Sequence, residues 1–132
     1  LNKRCKPDDK KALLKIKEAF NNPYHLSSWD SNTDCCHWYS VKCDPETNRI
    51  YKYYISWANI SSQIPESISE LSDLEDLMFH KITNLTGTIP RALTKLTKLK
   101  SLSITWTNLS GPIPSFLSEL KNLTFLSLDF NN

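Results

Sequence analysis

The chain has 132 residues, 39% of them apolar and 23% charged. That length holds one domain or a short repeat array. The balance is too apolar for a disordered polyelectrolyte. Lys and Arg number 16 against 14 Asp and Glu, a net charge of +2, too little for the dense basic face that nucleic acid requires. No run of roughly 18 apolar residues marks a membrane helix. No basic stretch leading into an apolar run marks a leader at the start, so any leader is expected to have been removed.

The first third reads as a stapled segment. Pro7 with Asp8 or Asp9 opens a helix. Ala12, Leu13, Ile16 and Phe20 follow at helical spacing and turn inward. Lys10, Lys11, Lys15, Lys17 and Glu18 fall outside, and these lysines read as a solvated face rather than a binding patch. Asn21-Asn22-Pro23 ends the helix. Leu26 to Trp29 is expected to make one short turn, with Trp29 on the helix. Trp38-Tyr39-Ser40-Val41 reads as a short strand, and residues 44–48 as a tight turn.

Four cysteines, Cys5, Cys35, Cys36 and Cys43, all lie in this segment. An even count in a small chain suggests disulfides and an oxidising compartment. Adjacent Cys35 and Cys36 rarely bridge each other. Cys5–Cys35 with Cys36–Cys43 is favoured over the swapped pairings, since one bridge then closes a long loop around the helix and the other pins a short turn. A four-thiolate zinc site is the weaker reading, because there is no C-x-x-C pair and neighbouring thiolates fit a tetrahedron poorly. Four Asn-x-Ser/Thr sequons begin at Asn59, Asn84, Asn108 and Asn122. They fit the same compartment and are candidate glycosylation sites. The plain alternative is that a repeat copies one turn sequence.

From residue 50 the chain repeats. Ile64-Pro65, Ile89-Pro90 and Ile113-Pro114 recur at intervals of 25 and 24 residues. Leu74-x-x-Leu77-x-Phe79, Leu99-x-x-Leu102-x-Ile104 and Leu123-x-x-Leu126-x-Leu128 keep the same phase, with Ile50-x-x-Tyr53-x-Ile55 as a degenerate first copy. This is the leucine-rich-repeat signature at a period inside its window. The expected fold is an α/β solenoid: a right-handed leucine-rich-repeat coil with a short parallel β-sheet and a disulfide-stapled helical N-terminal cap. Residues 1–49 would be the cap, and residues 50–132 about three and a half repeats without a C-terminal cap.

The L-x-L segment alternates with period two and faces its leucines inward. The other leucines, and the isoleucine before each proline, fill the interior from the other sides. Gly87 and Gly111 allow a turn that a Cβ would hinder. Thr107 and Asn131 should point inward and satisfy backbone groups at the corner, which Ala58 cannot do. The second copy has one extra residue, so a bulge is expected among residues 79–83. The chain stops inside a repeat at Asn132, with Phe125, Leu126 and Leu128 in its last coil. The expectation is a piece of a longer solenoid or an end covered by a partner, with marginal stability or self-association through it.

Cys5-Lys6-Pro7-Asp8-Asp9-Lys10-Lys11-Ala12-Leu13-Leu14, Leu26-Ser27-Ser28-Trp29 and Asp34-Cys35-Cys36-His37-Trp38 closely resemble the N-terminal cap of plant extracellular leucine-rich-repeat proteins. Thr107-Asn108-Leu109-Ser110-Gly111 and Lys121-Asn122-Leu123-Thr124-Phe125-Leu126 are most similar to polygalacturonase-inhibiting proteins. That resemblance implies a glycoprotein of plant defence, secreted to the cell wall. It implies binding and inhibition of fungal endopolygalacturonase through the concave face, pectin as a further partner, and a second sheet beside the concave one. A receptor ectodomain and an ice- or polysaccharide-binding relative are the alternatives.

Alternation places Tyr51, Tyr54, Ser56 and Trp57 on the open side of the first strand. Asp76, Met78, His80 and Lys81 follow on the second, and Ser101, Ser103, Thr105 and Trp106 on the third. The fourth presents Phe125, Ser127, Asp129 and Phe130. Two rows should cross the sheet: Tyr54, Met78, Ser103, Ser127 and Ser56, His80, Thr105, Asp129. Rigid rings among polar side chains suit protein recognition, so Tyr54, Trp57, Met78, His80, Ser103, Thr105, Trp106, Ser127 and Asp129 are the candidate partner-binding residues. The plainer readings are that Trp57 and Trp106 pack at the edge and that His80 is an ordinary surface histidine. Enzyme chemistry has little support. None of the three histidines is paired to a nucleophile by spacing, and Asp76 and Asp129 lie too far apart for a glycosidase pair. No phosphate loop or metal motif calls for a cofactor.

Overall fold

A computed structural model describes residues 4–129 and Asn131. Helix α1 spans Pro7–Ala19. Pro7 has no N–H to lose at the first helical position, and Asp8 and Asp9 favour the positive end of the helix dipole. Ala12, Leu13 and Ile16 are buried. Asn21 and Asn22 then take left-handed φ values of 61° and 49°, which asparagine tolerates and which stops the helix.

The lysines of α1 do more than face water. Lys10 Nζ donates to the Ser31 carbonyl (2.6 Å) and Lys17 Nζ to the Trp29 carbonyl (3.0 Å). Lys15 pairs with Glu70 at 2.9 Å. Short 3-10 turns follow at Tyr24–Leu26 and Cys35–His37. Cys5 is bridged to Cys35 and Cys36 to Cys43, each with a Cα–Cα separation of 5.4 Å. Asp34 gathers this corner, accepting from the backbone N–H groups of Cys5 (3.0 Å) and Cys36 (3.1 Å). Burial opposes its ionisation, but these N–H groups prevail and hold its carboxyl below the usual range.

Strand β1 is Val41–Cys43, not the expected segment from Trp38. The reason is Ser40, buried with φ of 73°; a left-handed residue cannot continue a strand. Strand β2, Ile50–Ser56, runs antiparallel to β1. Strand β3 is Ser62–Gln63, β4 is Asp76–Ile82, β5 is Leu85–Thr86, β6 is Ser101–Thr107 and β7 is Phe125–Ser127. The main sheet has the order β1-β2-β4-β6-β7, parallel from β2 onward. Strands β3 and β5 make the second, parallel sheet.

Each coil leaves its strand, passes a proline and enters a 3-10 turn. Pro65, Pro90 and Pro114 precede Glu66–Glu70, Arg91–Lys95 and Ser115–Glu119. The repeated leucines behind the strands and turns form one core with Trp29, Tyr53 and Phe79. Ile64 is buried as expected, whereas Ile113 is 68% exposed. No later coil lies against it among the described residues.

The extra residue of the second copy falls in the corner, at the end of the expected range 79–83, and makes a turn there rather than a bulge in β4. The register continues from His80↔Thr105 to Ile82↔Thr107 without a shift. The extra residue is taken up just beyond, in the turn at residues 83–84. Gly87 has φ of 84°, and a Cβ there would sit 2.8 Å from Gln63 Cδ. At the corner, Thr107 Oγ1 accepts from Leu109 N–H (3.2 Å). Asn131 Nδ2 donates to the carbonyls of Ile104 (2.7 Å) and Leu128 (2.9 Å). The inward corner residues therefore satisfy backbone groups as read from the sequence.

One acid ties cap to coil. Asp9 is fully buried, and its Oδ2 accepts from the Ile50 N–H at 3.1 Å. Arg49 lies 3.6 Å from its other oxygen and also binds Asp8. Burial raises the Asp9 carboxyl above its ordinary value, against the pull of Ile50 and Arg49. The folded chain thus holds this proton more tightly than the unfolded chain. Its stabilising contribution is complete below the ordinary carboxylate range and is lost as pH rises through the folded value. Asp9→Asn keeps an acceptor for Ile50 and cannot ionise. The melting temperature of the variant relative to the parent should therefore rise as pH increases upward from the ordinary carboxylate range. A difference that is flat or falls as pH increases would refute the assignment.

Candidate functional site

The open face of the main sheet carries side chains in register. Its first row is Lys52, Asp76, Ser101 and Phe125. Lys52, not Tyr51, opens this row. Tyr51 has the parity of Tyr53 and belongs beside Glu75, whose N–H donates to the Tyr51 carbonyl (2.8 Å). Counting back from buried Tyr53 would have found Lys52. Its ammonium lies 3.7 Å from Asp76 Oδ2 and 5.3 Å from the centre of the Tyr54 ring.

Tyr54, Met78, Ser103 and Ser127 form the second row, each half-buried. Ser56, His80 and Thr105 form the third. His80 Nδ1 and Thr105 Oγ1 share a hydrogen bond of 2.7 Å. That contact fixes the imidazole across two strands, so His80 is not a freely rotating surface residue. Asp129 lies past the end of β7, and its carbonyl accepts from the Trp106 N–H (3.2 Å). Phe130 lies outside the described residues.

The strands end on an aromatic corner. Trp57, Lys81 and Trp106 have φ of 57°, 56° and 56°. Bulky residues seldom adopt this left-handed backbone, yet three successive coils repeat it. The coils hydrogen-bond here too, Trp57 N–H donating to the His80 carbonyl at 3.0 Å. The Lys81 ammonium lies 4.1 Å from the Trp57 ring centre and 5.3 Å from that of Trp106. His80 meets Trp57 edge-on at 6.3 Å. Both indoles remain open to solvent, 69% exposed at Trp57 and 45% at Trp106. They share Lys81 at the strand ends. With Ala58, Asn59 and Thr83 they line a shallow cleft of about 420 Å³.

The sequon asparagines are all exposed. Asn59 lines the aromatic cleft, and Asn84 lines a polar hollow with Ser61, Ser62, Gln63 and Thr86. Asn122 donates its amide to the Thr97 carbonyl at 2.8 Å. The thiolate zinc reading is displaced, because the four cysteines are joined in disulfides. No helix among the described residues is long and apolar enough to cross a membrane.

The arrangement offers rings, hydroxyls and a few charges on a rigid sheet. Such a surface can bind a partner with little ordering cost. Residues 6–44 match the leucine rich repeat N-terminal domain. Over 106 residues the chain is 56% identical to a polygalacturonase inhibitor of Vitis vinifera and 58% identical to one of Pyrus communis. These matches take in 80% of this chain and 32% of each relative, so the chain spans about a third of their length. Among solved structures, a plant ice-binding protein superposes with a TM-score of 0.94 at 45% identity, covering 97% of this chain and 42% of that one. The cap, its disulfides and these relatives point to a secreted, extracellular protein. It is a leucine-rich-repeat domain closely related to the plant polygalacturonase-inhibiting proteins.

Proposed function

We propose that this chain carries part of the surface by which a secreted plant defence protein binds microbial endopolygalacturonase and blocks pectin hydrolysis in the cell wall. The observation that supports it is 56–58% identity to polygalacturonase inhibitors across the segment that builds this sheet. In this reading residues 1–49 cap the array and residues 50–132 present the binding face. The contact is centred on Tyr54, Met78, His80, Ser103, Thr105 and Ser127. Lys52, Trp57, Trp106 and Asp129 flank it.

The test is binding of the secreted chain to a panel of fungal endopolygalacturonases, with pectin hydrolysis followed alongside. Hot spots lie at the centre of an interface, and losing one costs about 2 kcal/mol, or roughly 30-fold in affinity. Tyr54→Ala and His80→Ala should each cost about that much, while Glu18→Ala on the outer face of α1 should cost nothing. Failure of the folded chain to bind any enzyme of the panel would reject the reading. A second reading is ice binding, favoured by the 0.94 TM-score to a plant ice-binding protein. Thermal hysteresis in the absence of enzyme binding would select it.

A further inference from the structure

We infer that the cleft beside Trp57 is the seat of an N-linked glycan carried by Asn59. The residues suggest it from two directions. Asn59-Ile60-Ser61 is a sequon in a disulfide-bonded extracellular chain. Ile60 is buried, and this turns Asn59 and Ser61 outward. Asn59 is also a wall of the cleft formed by Trp57, Ala58, Lys81, Thr83 and Trp106. A sugar joined to Asn59 starts inside that cleft.

The cleft suits such a sugar chemically. The ring of N-acetylglucosamine has an apolar C–H face and carries an acetyl methyl group. Two open indoles offer matching flat apolar surface, each able to bury a large area on contact. The polar rim of the sugar needs donors, and Lys81 Nζ stands over both rings to supply them. Thr83 adds a hydroxyl. A volume of about 420 Å³ accepts one or two sugar rings. Neither Asn84, in its polar hollow, nor Asn122, bonded to Thr97, has this combination.

The seat lies at the end of the strands. A glycan held there borders the open face and leaves the rows through Tyr54 and His80 uncovered. The proposal does not rest on the inhibitor reading, since its test uses no enzyme.

The chain provides its own reporter. Of its four tryptophans, Trp29 and Trp38 are buried, at 0% and 3% exposure, so quenchers and mild indole oxidants reach Trp57 and Trp106. Chain secreted from eukaryotic cells should carry a glycan at Asn59, read by glycopeptide mass spectrometry. Acrylamide quenching and N-bromosuccinimide titration should then find at most one accessible indole. Asn59→Gln and Ser61→Ala should each restore two, and Asn108→Gln should change nothing. Trimming the glycan to its innermost N-acetylglucosamine should retain protection, because that sugar makes the contact. The inference falls if Asn59 is unoccupied in secreted chain. It also falls if both indoles of the glycosylated chain react as in Ser61→Ala, or become reactive on trimming.

Discussion

Replacing Trp29 by alanine is expected to remove about 3–5 kcal/mol of stability, the usual cost of emptying a large buried aromatic site. Trp29 is fully buried. It stacks on Trp38 with ring centres 5.6 Å apart and meets Tyr53 at 5.8 Å. Tyr53 in turn meets Phe79 edge-on at 6.0 Å. The indole is therefore the cap end of an aromatic chain that reaches the second coil. Its Nε1 also donates to the Tyr39 carbonyl at 2.8 Å, which fixes the approach to β1. The collapse that softens some large-to-small changes is hindered here, since disulfides tie Cys5, just ahead of α1, and the end of β1 to the turn at Cys35–His37. Urea unfolding measures the loss. Trp29→Phe should retain part of the packing and lose the hydrogen bond, falling between parent and alanine. A loss below about 1 kcal/mol for Trp29→Ala would mean that cap and coils unfold independently.

The coil was legible in the sequence because burial imposes its period. Leu77, Leu102 and their neighbours must face inward every coil, and no other pattern stacks them. The rows Tyr54–Ser127 and Ser56–Thr105 followed from the same alternation. What stayed hidden depends on contacts between distant segments or on backbone that composition does not signal. Asp9 reads as an ordinary first-turn acid. Only the approach of Ile50, 41 residues away, makes it a buried acceptor. Lys10 and Lys17 read as solvated, yet their long stems let the ammonium groups reach carbonyls of the following loop. Left-handed φ at Trp57, Lys81 and Trp106 has no sequence mark, since neither glycine nor asparagine occupies those positions. Without it, the two tryptophans could not be seen to share one lysine. The inserted residue was visible within residues 79–83, but not that it would form a turn rather than a bulge. Register between β4 and β6 was worth keeping, so the turn at residues 83–84 absorbed it.

Opening the two disulfides separately should have unequal effects. In the chain-entropy account, a cross-link stabilises by restricting the unfolded chain, and more so for a longer loop. Cys5–Cys35 spans 30 residues and Cys36–Cys43 spans 7. The expected losses are about 3.6 and about 2.4 kcal/mol. Paired serine substitutions at 5 and 35 should thus lower the melting temperature further than those at 36 and 43. The long bridge holds the start of α1 against the turn that leads into β1. Releasing it also loosens Asp34, which accepts from the Cys5 N–H. Strand β1 is the antiparallel neighbour of β2, and β2 presents Lys52, Tyr54 and Ser56. A loosened cap therefore exposes the edge of the strand that opens the binding face. Mild reduction should weaken partner binding before the later coils lose their circular-dichroism signal. If the pair at 36 and 43 proves the more damaging, local geometry around β1, rather than loop closure, governs the stability of the cap.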